Sequence, residues 1–308
     1  MNNEICIAAW IYGKKYQGWI PIYLYSITKN YPQYDVQIFL DTSLNPCIKN
    51  IVKDMHLANV LIIENYSPVV SHGKLDDIEK RCCRWLIDES AFKKKYQYIY
   101  IGDVDIFIEK EDPDLATQHI IDMNTNGRIY SNAIRLQLGD YMGRHGRCNS
   151  SHLFRLTGLH FFSADKYFTK VKKAQKILLH CIQSRHKTKM EKIFFSDDER
   201  CLWLLLFLAG MKLPSKSYEI DNDVWRPLHG LHFAIGREAE SYNHILKKNI
   251  YRAAEHKKYY DAFVREYNED DRLREIVWKC PFYIIDIINR TCLFWKDEFG
   301  YYEIKSRQ

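Results

Sequence analysis

Several features are missing from this sequence, and each absence narrows the field. No apolar run approaches the ~18 residues of a membrane span. The longest, CLWLLLFLA at 201–209, has the length of a buried helix segment. The nine cysteines contain no C-x-x-C pair and no regular spacing. An odd count with Cys82 and Cys83 adjacent suits a reducing cytosol rather than a disulfide framework or a zinc site. The first residues lack the basic-then-apolar pattern of a secretory leader. The expected location is therefore cytoplasmic, with at most peripheral contact on the inner face of a membrane. Internal repeats, low-complexity segments and nucleic-acid-binding motifs are absent too. The basic residues are not interleaved with stacking aromatics, so nucleic acid is not an expected partner.

What is present belongs to an ordinary globular protein. The chain has 308 residues, 46% hydrophobic and 27% charged, with a net charge of +6. That length allows one large α/β domain or a domain with an appendage. The mild positive charge is compatible with an anionic ligand and demands none. Aromatics reach 14%, with 22 tyrosines, a composition that suits sugar-binding surfaces and plain cores alike.

The first hundred residues alternate. Strands are expected at 4–13, 34–42, 59–65 and 96–108, with helices at 18–32, over LNPCIKNIVKDMH and at 74–92. Such β-α alternation implies an open, largely parallel sheet, whose ligands bind outside the carboxyl ends of the strands. Residues 124–150 read as an irregular loop over the site. Another strand is expected within 152–167, and its Gly158 marks a close approach of ligand to backbone. Helices follow at 165–192 and 196–210, a strand or turn at 223–238, and charged helices after 241. The expected division is a domain over 1–240 and a helical C-terminal extension over 241–308.

The fourth strand carries the strongest chemical signal, YQYIYIGDVDIFI. Ionised carboxylates in an apolar strand are costly unless paired or metal-bound. Asp103 and Asp105 are alternate residues, so both can address one hard cation, Mg²⁺ or Mn²⁺. His229 and His232 are both candidates to complete its shell, and the spacing does not choose between them. Arg237 can hold a phosphate through its planar fork. Arg81 and Arg84, three apart on the helix before this strand, can contact a pyrophosphate or pair with a carboxylate. Asp197, Asp198 and Glu199 open a helix, where acids belong electrostatically, and one of them can also face a reacting carbon. Lys166, Lys170, Lys172, Lys173, Lys176 and Arg185 form a basic helix. With Trp278, Phe282, Tyr283 and Trp295 it suggests a seat on anionic lipid.

Together these segments resemble the GT-A fold glycosyltransferases over residues 4 to 240. GDVDIFI is similar to the D-V-D segment of glycosyltransferase family 6, and DDERCLW resembles that family's Asp-Glu helix start. HFAIGRE is similar to the late His-Gly-basic segment of family 8, with Arg237 where that family usually has Lys. The resemblance implies a metal-dependent, retaining enzyme. It would move a hexose from a nucleotide-sugar, most often a UDP-sugar, to a glycan or lipid-linked acceptor. It also implies that Asp103 contacts ribose or metal, that Asp105 binds metal, and that His229 or His232 is the third protein ligand. Glu199 would face the anomeric carbon and Asp198 the sugar hydroxyls. An inverting transferase, a sugar nucleotidyltransferase and a non-catalytic nucleotide- or glycan-binding protein of the same fold remain alternatives.

Overall fold

The computed structural model describes residues 4–69, 75–134, 155–184, 188, 194–214, 228–237 and 250–299. Its described strands are β1 (Ile5–Ile11), β2 (Asp35–Leu40), β3 (Val60–Ile63), β4 (Tyr98–Gly102), β5 (Ile106–Ile108), β6 (Tyr130–Ser131), β7 (His160–Ser163) and β8 (Gly230–His232). Six of them form one sheet in the order β3-β2-β1-β4-β7-β6. The first four in that order run parallel, and β7 runs antiparallel to both its neighbours, β4 and β6. The protein is therefore α/β with a mixed, mostly parallel sheet.

Central β1 is buried along its whole length. Its sequence is apolar without alternation because both faces of the sheet are covered. The period of two still sorts it: Ile5, Ile7, Ala9 and Ile11 enter one core, and Cys6, Ala8 and Trp10 the other.

Helices supply those two covers. On the first face lie α1 (Ile20–Asn30) and α2 (Pro46–Asp54), the latter capped by the Asn45 side chain on the Cys47 N–H. The other face packs against α3 (Asp77–Cys82), which starts with a reciprocal Asp76–Glu79 capping box. The expected helix over 74–92 does not continue beyond it. Residues Cys83–Leu86 tighten into a 3₁₀ turn whose four side chains are all buried, and Glu89–Ala91 forms another. That tightening turns Arg84 inward, where a regular surface helix would leave it in solvent.

The region expected to be irregular from 124 begins as the end of a helix. It is α4 (Leu115–Asn126), capped by Asp114 and stopped by Gly127 at φ +59°. Residues 135–150, the rest of that loop, lie outside the described residues, as does Arg185. Next come α5 (Ala164–Gln183) and α6 (Asp198–Leu208) on the second face, then α7 (Ile250–Glu269), α8 (Asp271–Lys279) and α9 (Phe282–Phe299). Tyr260, Phe263, Ile276, Ile284 and Trp295 of the last three helices belong to the same core as Ile7 and Ile20. The segment expected as a C-terminal extension packs on α1 and β8 and shares their core. Trp295, expected on a lipid-facing surface, is fully buried and stacks on Tyr260 at 5.5 Å.

The single strand expected over 96–108 is two. β4 ends at Gly102, Asp103-Val104-Asp105 turns the chain, and β5 leaves the main sheet to pair antiparallel with β8. The two carboxylates sit in the turn between two sheets, not inside a strand. Gly230 lies against the partner backbone in this ribbon, where a Cβ would fall 1.9 Å from the Phe107 carbonyl oxygen.

Two stability effects follow. Gly230→Ala should cost about 3 kcal/mol or more, because the obstructing atom is backbone and cannot swing away; urea unfolding measures it. Glu109, just after β5, is buried, and its Oε1 finds no hydrogen-bond partner among the described residues. Burial and then the charge of Glu266 push its carboxyl up to about 8. The folded state therefore keeps a proton that the unfolded chain releases, and stability falls as pH rises from the ordinary carboxylate range through about 8. Glu109→Gln should be more stable than the parent at pH 8.5 by on the order of 2 kcal/mol, with the gap closing towards pH 4.

Candidate functional site

A cleft of about 440 Å³ opens beyond the carboxyl ends of β1 and β4, the place where open α/β sheets bind ligands. Trp10, Ile11 and Tyr12 line it from the end of β1, and Tyr16 from the turn that follows. The Asp103–Asp105 turn forms its floor. The first turn of α6 brings Asp197, Asp198 and Glu199 from the opposite wall, and the segment after β8 brings His232 and Arg237.

Arg84 joins two of these walls. Its guanidinium meets Asp103 Oδ1 at 2.6 Å and Asp198 Oδ2 at 2.7 Å, and it donates to the Gly102 carbonyl at 3.1 Å. It is 7% exposed, so this pairing is little screened by solvent. Trp85 donates its indole N–H to the Asp198 carbonyl at 2.7 Å and fixes the start of α6. Asp197 caps that helix through the Arg200 N–H at 2.8 Å. Arg155 then bridges Asp197 and Glu199, at 3.3 and 3.1 Å.

On the other side Asp105 is buried between Arg237 and His232. Arg237 Nη2 lies 2.6 Å from Oδ2, and His232 Nε2 lies 3.3 Å from Oδ1. Burial alone would raise the Asp105 carboxyl, but His232 and Arg237 outweigh it and hold it at about 2. Burial works against a charged His232 imidazole, and Asp105 reverses that and raises its pKa. Arg237 also donates to the Tyr16 hydroxyl and lies over the Tyr16 ring, and Arg81 donates to the Tyr12 hydroxyl at 2.7 Å.

The cleft gathers Asp103, Asp105, Arg81, Arg84, Gly158, Asp198, Glu199, His232 and Arg237 from the residues singled out in the sequence. His229 is not among its lining residues. His232, in β8, faces Asp105, while His229, one residue before β8 and at φ +54°, turns away, fully buried, towards Glu111. Gly158 stands where a Cβ would come within 3.3 Å of Arg84 Nη1 and 3.5 Å of Asp103 Oδ2, so its lack of a side chain keeps that corner open. Arg155 and the tyrosines after β1 escaped sequence reasoning, because nothing in FRLTG or IYGKKYQ sets them apart from ordinary surface residues.

Asp105 Oδ1 and His232 Nε2 stand 3.3 Å apart, a spacing that a direct hydrogen bond gives and that two neighbouring ligands of one divalent cation would also give. Among the described residues no group of three or more His, Cys, Asp or Glu side chains is arranged to hold a metal ion. An ion held here would draw further oxygens from water and from a ligand, as Mg²⁺ commonly does with phosphates.

No protein-family profile matches the chain, and no curated protein matches it. Solved structures do. The chain is similar to the galactosyltransferase LgtC, solved with donor and acceptor sugar analogues, at 10% identity and a TM-score of 0.37, over 65% of this chain and 70% of that one. It is similar to the mannosyltransferase Ktr4p from S. cerevisiae at 11% identity and a TM-score of 0.39, over 66% and 65%. It is also similar to the glycosyltransferase GlyE of Streptococcus pneumoniae TIGR4 at 8% identity and a TM-score of 0.41, over 80% and 52%. These likenesses are remote, and the functional reading rests on the cleft itself.

Proposed function

We propose that the protein is a GT-A glycosyltransferase. In this reading it moves a hexose from a nucleotide-sugar, a UDP-sugar by preference, to a glycan or lipid-linked acceptor, with retention and with Mn²⁺ or Mg²⁺. One observation carries it. A single cleft at the carboxyl ends of β1 and β4 puts the Asp103–Asp105 turn, with its cationic partners, opposite the acidic first turn of α6.

The division of labour follows from the side chains. The faces of Tyr12 and Tyr16 offer a stacking surface for the base. Arg237, 24% exposed, is placed to exchange Asp105 for a diphosphate oxygen, and its fork suits that group. Asp105 and His232 would hold the metal, with Asp103 next to them. When bound, the metal supplies Lewis-acid neutralisation of the diphosphate. As the sugar–phosphate bond breaks, positive charge grows at the anomeric carbon and negative charge on the leaving group. Glu199 presents a carboxylate to the positive centre and can stabilise or trap it. Asp198, fixed by Arg84 and by the Trp85 bond to its carbonyl, is available to sugar hydroxyls.

The same reading seats the acceptor beside an anionic membrane. Lys166, Lys170, Lys172, Lys173 and Lys176 all lie on the exposed face of α5. Phe282, 81% exposed, and Trp278, 37% exposed, belong to helices of the other core, so the lysines alone form this seat. No described helix is long and apolar enough to cross a bilayer.

Two measurements test the reading. UDP at 100 times its Kd with Mn²⁺ should add about 2.7 kcal/mol of stability and raise Tm by several degrees. Chelator should abolish that shift; a shift indifferent to chelator removes the metal from the scheme, and no shift with any nucleotide sinks the donor. Glu199→Gln should leave UDP binding intact while slowing donor hydrolysis, read as UDP release, by about 10²-fold or more. Undiminished turnover in that variant would exclude Glu199 as the group facing the anomeric carbon.

A further inference from the structure

Behind the cleft lies a buried polar chain that the proposed chemistry does not use. Glu111 Oε2 is 2.5 Å from His229 Nδ1, and His229 Nε2 is 3.0 Å from His119 Nε2. Glu111 accepts two further hydrogen bonds, from Tyr259 Oη at 2.6 Å and from Gln118 Nε2 at 2.9 Å. His119 stacks face to face on Phe161 of β7 at 4.6 Å. Both histidines are 0% exposed. The carboxylate can only accept, so His229 donates from Nδ1, and one proton lies between His229 Nε2 and His119 Nε2. Four parts of the chain thus join in this network: the segment after β5 (Glu111), α4 (Gln118 and His119), α7 (Tyr259, through Glu111) and the entry to β8 (His229).

His229 also sits at φ +54°, a left-handed conformation that costs a residue with a side chain about 1 kcal/mol or more and persists only where the surroundings impose it. From there its carbonyl accepts from Glu109 N–H at 2.8 Å and extends the β5–β8 ladder by one step. At the other end of the same ribbon, Phe233 N–H donates to the Asp105 carbonyl at 3.0 Å, beside the Asp105–His232 pair.

We propose that the Glu111–His229–His119 chain, tied to α7 through Tyr259, is the positioning device that sets the register of the β5–β8 ribbon and so holds His232 against Asp105. The proposal rests on the metal-dependent reading above. His229, Glu111 and Tyr259 are positioning residues; none of them meets a substrate.

The test compares the parent with His229→Phe, which keeps a ring and loses both its bonds, and with His229→Asn, which tolerates the left-handed backbone and keeps a donor. Leu178→Ala, a cavity on the opposite face of the sheet, supplies a loss of stability unconnected with the ribbon. Mn²⁺ alone is titrated into each apo protein at a temperature where it is folded, and the His232 ring signals are followed by ¹H–¹⁵N NMR without metal. We expect His229→Phe to weaken Mn²⁺ binding about tenfold and to move the His232 signals, in line with the usual effect of groups outside the ligand shell. His229→Asn should recover part of both, and Leu178→Ala should change neither. Unmoved His232 signals with unchanged Mn²⁺ affinity in folded His229→Phe would overturn the proposal. If the parent binds no Mn²⁺, the metal reading falls, and the His232 signals alone decide the positioning role. If His229→Phe does not fold, Glu111→Gln and Tyr259→Phe take its place: a moved His232 signal with weakened Mn²⁺ binding supports the proposal, and no change in either overturns it.

Discussion

The cleft depends on one buried guanidinium. Arg84 spans Asp103 at the end of β4 and Asp198 at the start of α6, two segments about a hundred residues apart in sequence. Removing one member of such a pair leaves the others buried and uncompensated, typically at 3–5 kcal/mol. The bridge therefore fixes the distance between the D-V-D turn and the acidic helix start. The 3₁₀ turn at Cys83–Leu86 serves the same end, since it directs Arg84 inward and leaves Trp85 to grip the Asp198 carbonyl. A regular helix over 74–92 would have had no reason to do either.

Charge balance in the cleft follows from how its carboxylates are distributed. Asp103 and Asp198 share Arg84, Asp197 and Glu199 share Arg155, and Asp105 lies between Arg237 and His232. Five acids can stand within one small volume because each has a basic side chain within reach. The more exposed of those partners, Arg237 and His232, lie on the side where the diphosphate is proposed to bind. Arg84 and Arg155, which are more enclosed, hold the side where the sugar is proposed to react.

Much of this could be read from residue types. Alternating β-α patterns located β1 to β4, and the D-V-D carboxylates could be recognised as chemically costly in an apolar setting. Asp197 to Glu199 and Arg237 were visible as charge patterns. The rest required three dimensions. Periodicity could not show that YQYIYIGDVDIFI divides between two sheets, because both halves are apolar and extended. Nor could it separate His229 from His232, since their different facing depends on the left-handed backbone at His229 and on the pairing of β8 with β5. Arg155 stayed hidden because only folding sets it beside Glu199. Trp295 was assigned to a surface because an aromatic on a charged helix looks the same whether its face is wet or covered.

The packing of α7, α8 and α9 bears on the order in which the chain can complete itself. Tyr260, Phe263, Ile276 and Trp295 close the core that Ile5, Ile7 and Ile11 begin at the other end of the sequence. α1 and α2 cover that face of the main sheet, and the last three helices pack outside α1 and over β8 and the turn after it. Without α7 the β5–β8 ribbon would lack Tyr259 and its bond to Glu111.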